Sequence, residues 1–281
     1  MTAPRRVTVF TRNNPDHTAH GLARLLERAR ERGVEVRVPP EEVDKHGLDP
    51  SLAGDPNAET DLAVVLGGDG TILSTLRRFA GARVPTFAIN YGVIGFLATL
   101  DRTEIEAGID RALSGDFDVL ALPALTFRSG GARQLAVNDV SFHRRADLRV
   151  AELGYSIGGE GLGEVRCDGL VVATAAGSTG YNLANGGPVM AWGVEGFVVS
   201  FIAPHTLTAR SLVVAPDDVL EVENRSSEEP VDVTTDGRAV CTLAPRQRVE
   251  LRFERDRALL AQAPGASFYH RMRDKFGRLA Y

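Results

Sequence analysis

Only two cysteines, Cys167 and Cys241, occur in 281 residues, and neither belongs to a C-x-x-C pair. No zinc site or disulfide framework follows from that spacing, and both are expected to be buried or inert thiols. Lysine is equally scarce: Lys45 and Lys275 are the only two among 32 basic residues. No G-x-x-x-x-G-K-[ST] occurs and neither lysine follows a glycine-rich loop, which excludes a P-loop enzyme. A G-x-G-x-x-G after a strand is also missing. The glycines of GGEGLG, 158 to 163, have the wrong spacing and read as a loop between two strands, so the usual dinucleotide fingerprint is absent. No apolar run approaches the roughly 20 residues of a membrane span, and the N-terminus carries no signal-peptide pattern. A net charge of −5 offers no broad basic face to nucleic acid. The expectation is a soluble cytoplasmic protein without nucleic-acid or membrane partners.

What is present divides into two textures. From 7 to about 115, strands VTVF (7 to 10), VEVRV (34 to 38), LAVVL (62 to 66) and VPTFAIN (84 to 90) alternate with helical patterns near 18 to 32, 71 to 80 and 103 to 114. The first helix carries Leu22, Leu25, Leu26 and Ala29 on one stripe, and residues 39 to 61 read as a polar connection. Such alternation implies a parallel sheet covered on both faces. After Pro123 come short β-like runs such as LTFRS, RQLAVNDVSFHR, ELGYSI and DGLVVATA, separated by Gly, Pro and Asp-Gly signals at sandwich-like intervals. SFYHRMRDKFGRL (267 to 279) reads as a closing helix with Phe268, Met272 and Phe276 on one stripe. The expected organisation is a Rossmann-like α/β nucleotide-binding domain over 1–120, a β-sandwich domain over 121–260, and a segment 261–281 that returns to the first domain.

Three stretches carry candidate chemistry. In VVLGGDGTIL (64 to 73), Gly67, Gly68, Asp69 and Gly70 form a turn at the carboxyl end of a strand, and Thr71 opens a helix. The plain alternative is a tight connection in which Asp-Gly supplies positive φ and Thr71 caps the helix. Its location favours ligand binding, since open parallel sheets bind at the carboxyl ends of their strands. An acid there suits phosphoryl transfer, by meeting a metal ion or by taking a proton from an attacking hydroxyl. In DGLVVATAAGSTGYNLANGGP (168 to 188), a strand runs into small residues with two hydroxyls, Ser178 and Thr179, suited to close ligand approach or equally to a bulge. In VNDVSFHR (137 to 144), Asn138 and Asp139 interrupt a strand-like run, as a β-bulge or as groups facing a ribose hydroxyl. TTDGR (234 to 238) is sufficiently read as a hairpin turn. His17 and His20 lack further ligands at metal spacing and read as solvated.

In this order, GGDGT (67 to 71), NYGVIGFLA (90 to 98), ND (138 to 139), the 168 to 188 block, PHTLTARSLVV (204 to 214) and DGR (236 to 238) resemble the blocks of the ATP-dependent NAD kinase family. GGDGT alone is shared with lipid and sugar kinases; its combination with GSTGYNLANGGP is selective. The resemblance implies transfer of the γ-phosphoryl group of ATP, another triphosphate or polyphosphate to the 2′-hydroxyl of the adenosine ribose of NAD or NADH. It implies that Asp69 is the base. It further implies NAD contacts from Asp69, Gly70, Asn138, Asp139, Arg149, Arg166, Asp168, Ala176, Thr179, Gly180, Tyr181, Asn182, Leu183, Ala184 and Arg238. Gly67, Gly68, Gly70 and Thr71 would meet the donor phosphates together with Mg²⁺ or another divalent ion, for which no ligands are specified. A homodimer or homotetramer is implied as well.

The chain departs from the family pattern at three places. Ser74 stands where many members carry Arg, leaving donor charge to Mg²⁺ or to another arginine such as Arg77. Ala176 removes a hydroxyl, and Arg238 replaces a frequent Gln. Two other readings compete: a related kinase acting on a lipid or polyol, and a non-catalytic NAD(H)-binding regulator.

Overall fold

The computed structural model describes residues 2–55, 59–93, 95–145 and 150–277. The chain forms two compact units, residues 1–121 with 258–281, and residues 122–257. In the first, β1 (Arg6–Thr11), α1 (Ala19–Glu31), β2 (Glu35–Arg37), α2 (Pro40–His46), β3 (Leu62–Gly67), α3 (Asp69–Arg78), β4 (Pro85–Asn90), β5 (Leu100–Asp101) and α4 (Ile105–Ser114) follow in order. The strands are parallel in the spatial order β4, β3, β1, β2, with β5 at the carboxyl end of β4. Because both faces are covered, β3 and β4 are buried throughout, which explains the unbroken apolar sequence of β3 and the Phe87, Ala88 and Ile89 centre of β4. Val7, Val9, Leu62, Val64 and Leu66 point to one side, against Leu22, Leu25 and Ala29 of α1 and Ile109, Ala112 and Leu113 of α4. Phe10 points to the other, where its ring meets Phe79 at the end of α3 with centroids 6.0 Å apart. Each such fully buried side chain stabilises the unit by about 1.5–3 kcal/mol.

Two local expectations are corrected in this unit. The connection 39–61 contains a helix, α2, with Pro40 in its first turn followed by Glu41 and Glu42, Lys45 and His46 in its last turn, and Gly47 ending it in a left-handed conformation. Those are helix-terminus signals, carried by a segment too short for periodicity to reveal. The helix after β3 begins at Asp69 rather than Thr71: Gly68 is the N-cap, no side chain caps it, and Thr71 lies inside the first turn.

The second unit is antiparallel. β6 (Asp118–Ser129) leads in, passing through Pro123, and is followed by β7 (Ala132–Ala136), β8 (Asp139–Arg144), β9 (Ala151–Ile157), β10 (Glu160–Cys167), β11 (Gly169–Thr174), the short α5 (Tyr181–Ala184), β12 (Phe197–Ile202), β13 (Leu212–Val214), β14 (Leu220–Asn224), β15 (Val231–Thr235), β16 (Arg238–Leu243) and β17 (Arg248–Gln262). One sheet has the order β13, β12, β11, β8, β15, β16. A second runs β10, β9, β14, β17, and both contribute side chains to one core, including Phe142, Leu170, Val172 and Phe197 from the first and Leu153, Val165, Val222 and Leu251 from the second. The strand period of two gives β11 two buried faces: Leu170 and Val172 enter that core, while Val171 and Ala173 join Ala175, Met190 and Val198 on the opposite side. The run RQLAVNDVSFHR is broken at Val137 and Asn138, between β7 and β8, and is not a bulged single strand. GGEGLG is likewise corrected: only Gly158 and Gly159 form the connection, and Glu160 onward belongs to β10.

From Ala258 onward β17 belongs to the first unit, where Leu259 and Leu260 pair in parallel with Pro85 and Thr86 of β4. The closing helix α6 (Phe268–Phe276) follows, with Met272 buried. Among the described residues no helix is long and apolar enough to cross a membrane.

Candidate active site

The turn after β3 sits at the carboxyl edge of the parallel sheet, beside the end of β4, where Gly67 pairs with Asn90 and Tyr91 N donates to Gly67 O at 2.9 Å. None of Gly67, Gly68, Asp69 and Gly70 has positive φ, so the conformational reason expected for these glycines does not apply. Space is the reason instead. A Cβ on Gly68 would lie 3.1 Å from the Cα of Gly92, and one on Gly92 would lie 2.9 Å from the Cα of Gly68, so the two backbones touch. Around Gly70 nothing lies within 4 Å of a Cβ, and the residue is exposed. The first amides of α3, at Asp69 and Gly70, have no partner within the helix and carry its positive dipole end toward that opening.

Asp69 is half-buried, and its two carboxylate oxygens accept from Phe96 N at 3.0 Å and Leu97 N at 2.9 Å. A carboxylate has about four lone-pair sites, so this leaves acceptor capacity for a further donor. Asn90 helps to shape the same edge: its amide nitrogen donates to Asp101 Oδ1 at 3.1 Å and its oxygen accepts from Gly92 N at 2.8 Å. Arg12, at the end of β1, donates through Nη1 to Tyr91 O, placing a guanidinium beside this turn. Sequence reasoning passed over Arg12; its one available signal was a cation directly after a parallel strand.

In the second unit, Asn138 and Asp139 are brought against the DGR turn. Asp236 and Gly237 both have positive φ, 46° and 76°, which makes the two-residue connection of β15 and β16 a type I′ hairpin turn, the expected reading. Its Asp236 carboxylate accepts from Val137 N at 3.1 Å, Asn138 N at 2.7 Å and Asp139 N at 3.2 Å. Asp139 is buried; burial, and then the charge of Asp236, push its carboxyl up to about 7. The side-chain oxygen of Asn138 is buried without a hydrogen-bond partner. Arg238 is exposed at the start of β16. Asp236 is the residue that sequence reasoning missed here, because a long-range contact gives it its role.

The 168–188 block folds onto the same place. Thr174 N donates to Asn138 O at 2.9 Å, Thr174 Oγ1 donates to Val137 O at 2.7 Å, and Gly177 N donates back to Thr174 Oγ1 at 3.2 Å. A Cβ on Gly177 would stand 2.1 Å from Asn138 O, so only glycine allows this approach. Asp168 is the single residue between β10 and β11, at a bend: its Oδ1 accepts from Arg144 Nε at 2.5 Å, while its backbone pairs with Arg144 and Ile202 on the flanking strands.

Several expected contacts are redirected inward. Ser178 is fully buried, accepting from Met190 N at 2.9 Å and donating to Ala175 O at 2.7 Å, so only Thr179 of the two hydroxyls is accessible. Asn182 is also fully buried; its amide donates to Ser178 O and Pro188 O at 2.9 and 3.0 Å and accepts from Ser200 Oγ at 3.0 Å. Its side chain is committed to the scaffold and has no donor left for a nucleotide. Ala176 is 2% exposed and offers almost no surface. Gly180, Tyr181 and Ala184 are exposed and Leu183 is half-buried. The Tyr181 ring stacks on His143, centroids 5.7 Å apart, and His143, whose burial keeps its pKa below the ordinary imidazole range, shares a 2.8 Å hydrogen bond with Ser141. Arg166 lies on β10 with an exposed side chain paired to Glu152 at 3.2 Å. Arg149 lies outside the described residues.

Comparison with known proteins agrees over nearly the whole chain. Residues 13–117 match the ATP-NAD kinase N-terminal domain and residues 137–261 the ATP-NAD kinase C-terminal domain. A NAD kinase of Symbiobacterium thermophilum is 33% identical over 280 residues, covering 97% of this chain and 98% of that protein. One from Lachnoclostridium phytofermentans is 33% identical over 230 residues, covering 78% and 81%. The crystal structure of yeast NADH kinase complexed with NADH superposes with a TM-score of 0.87 at 22% identity, covering 100% of this chain and 90% of that one, a likeness of fold. The NAD kinase from Archaeoglobus fulgidus in complex with ATP superposes with a TM-score of 0.74 at 26% identity, covering 97% of each chain. With both of its domains present in order, the chain belongs to the ATP-NAD kinase family.

Proposed function

We infer that this enzyme transfers the terminal phosphoryl group of ATP to the 2′-hydroxyl of the adenosine ribose of NAD or NADH, giving NADP or NADPH. The carrying observation is the ordered match of both kinase domains, 13–117 and 137–261, in a chain that keeps an acid, Asp69, at the carboxyl end of a parallel strand. The lipid-kinase and regulator readings have no such support.

In this proposal Asp69 accepts the proton of the 2′-hydroxyl through the lone pairs that Phe96 N and Leu97 N leave free. The ribose oxygen bonds to the γ-phosphorus, the bond from that phosphorus to the bridging oxygen breaks, and ADP departs with the electron pair. The open side of Gly70 gives the donor phosphates room, and the amides of Asp69 and Gly70 at the start of α3 offset their charge. Gly67, Gly68 and Thr71 shape that turn. Asn138 and Asp139 recognise nucleotide hydroxyl or amino groups, together with Asp168, Thr179, Gly180, Tyr181, Leu183, Ala184 and the backbone at Ala176 and Asn182, with Arg166 and Arg238 as outer contacts.

Among the described residues no group of three or more His, Cys, Asp or Glu is arranged to hold a metal. In this reading a divalent ion would enter with ATP as part of the substrate and offset phosphate charge. Residues 1–120 are, in the same reading, the nucleotide-binding domain that carries GGDGT, 121–260 the NAD-binding β-rich domain, and 261–281 a segment that packs back on the first. The reading includes a cytoplasmic location, consistent with free Cys167 and Cys241, and a homodimer or homotetramer, which light scattering would measure.

The test is NADP and NADPH formation from NAD and NADH, with ATP, other triphosphates or polyphosphate as donor. Absence of phosphorylated product from Mg-ATP with either acceptor would overturn the assignment.

A further inference from the structure

The Asp69 carboxylate is held by a loop that is itself held from the other side. The peptide unit joining Phe96 to Leu97 is planar and trans, so its carbonyl and its N–H point in opposite directions. The N–H of Leu97 donates to Asp69 Oδ1 at 2.9 Å, while the carbonyl of Phe96 accepts from Arg271 Nη1 at 2.8 Å. The same Nη1 also donates to Ala98 O, and Nη2 donates to Gln262 Oε1 at 2.6 Å. The neighbouring amide, Phe96 N, donates to Asp69 Oδ2 at 3.0 Å. The Phe96 ring is meanwhile packed against two residues of α6, with centroids 6.0 Å from Phe268 and 5.6 Å from Phe276. Burial works against the charge of this guanidinium, and Asp69 and Asp101 work in its favour. Arg271 is half-buried, and withdrawing an arginine from water is costly unless its donors are met; here Nη1 meets the backbone that presents the acid and Nη2 meets Gln262.

We propose that Arg271 is a positioning residue for phosphoryl transfer, fixing the peptide planes of 96–98 so that their N–H groups orient the Asp69 carboxylate. The proposal rests on Asp69 as the proton acceptor. It makes α6, a helix remote in sequence from the GGDGT turn, part of what sets turnover. Methionine at 271 fills similar volume but donates nothing, and lysine retains the charge yet cannot span two carbonyls and Gln262 with a planar fork.

The test is steady-state kinetics, varying NAD and Mg-ATP, on Arg271→Met, Arg271→Lys, Asp69→Asn and the double variant Asp69→Asn with Arg271→Met. A displacement of about 1 Å at a reacting group costs on the order of 100-fold. The expected result is a kcat of Arg271→Met lowered about 10- to 100-fold with both KM values within about threefold of the parent. Arg271→Lys is expected to fall in between, and the double variant to be no slower than Asp69→Asn, since Arg271 acts through Asp69. A merely structural role would instead multiply the two losses. Parental kcat in Arg271→Met, raised KM values with unchanged kcat, or multiplied losses in the double variant each overturn the proposal. If Arg271→Met does not fold, Arg271→Lys decides: reduced kcat at parental KM supports it and parental kcat overturns it. Failure of the Asp69 assignment has a separate signature, near-normal turnover of Asp69→Asn with Arg271 intact.

Discussion

The carboxylate of Asp236 accepts the backbone N–H of Asn138 at 2.7 Å, across 98 positions of sequence, and takes the N–H groups of Val137 and Asp139 as well. A turn that Asn-Gly or Gly-Gly would close as well therefore also fixes the backbone of the Asn-Asp pair proposed to read NAD. Asp236→Asn tolerates the same positive φ but offers one oxygen in place of two. Stability is expected to drop by about 1–3 kcal/mol in urea unfolding, because buried amides lose a charged acceptor. The KM for NAD should rise about tenfold or more, each tenfold corresponding to about 1.4 kcal/mol. A parental KM for NAD would detach Asp236 from nucleotide recognition.

Asp69→Asn keeps a side chain of the same shape beside Phe96 and Leu97 but cannot take a proton. Turnover is expected to fall by about 10²–10⁴, the range for loss of a general base. Calorimetric NAD affinity should stay near the parental value, while stability falls by about 1–3 kcal/mol in urea unfolding, because one of the two backbone N–H groups loses its acceptor oxygen. Turnover within about threefold of the parent would remove Asp69 from the proton-transfer step.

Asp139 makes folding pH-dependent. Its carboxyl is moved from an ordinary 3.8 to about 7, by burial first and by Asp236 second, so the folded chain holds a proton that the unfolded chain releases. Stability conferred by protonated Asp139 is complete below about pH 4, declines as pH rises toward 7, and is level above it. The whole span is worth at most about 4 kcal/mol at 1.36 kcal/mol per pH unit. Asp139→Asn should remove this slope, so that the variant gains on the parent in urea unfolding at pH 8 relative to pH 5. Parallel pH profiles for the two proteins would contradict the burial argument.

Gly177→Ala places a methyl group 2.1 Å from the carbonyl oxygen of Asn138, backbone against backbone. No side-chain rotation relieves that overlap. The expected cost is about 3 kcal/mol or more, beyond ordinary overpacking, with NAD affinity lost alongside it. Gly70→Ala is the internal contrast, since open space surrounds that position. Its unfolding midpoint should shift by about 1 kcal/mol or less, the intrinsic helix preference favouring alanine. Equal stability of Gly177→Ala and the parent would refute the close approach.

By itself the sequence determined the class of fold and the places where chemistry concentrates. Periods of 3.6 and 2 are local properties, so the α/β alternation up to about residue 115, the stripe Leu22, Leu25 and Ala29, and the Asp236-Gly237 turn were legible directly. The motif residues Asp69, Asn138 and Asp139 were legible as polar interruptions of apolar runs. Tertiary structure alone decided which of the motif side chains remain accessible. Ser178 and Asn182 look like ligands in the sequence, yet they face inward because Met190, Pro188 and Ser200 fold back to meet them. Gly68 looks like a turn residue, yet it is required by the backbone of Gly92. Asp236 and Arg271 act through contacts spanning 97 to 99 and 173 to 175 residues. A hydrogen bond depends on distance in space, and chain separation carries no record of it until the core has closed.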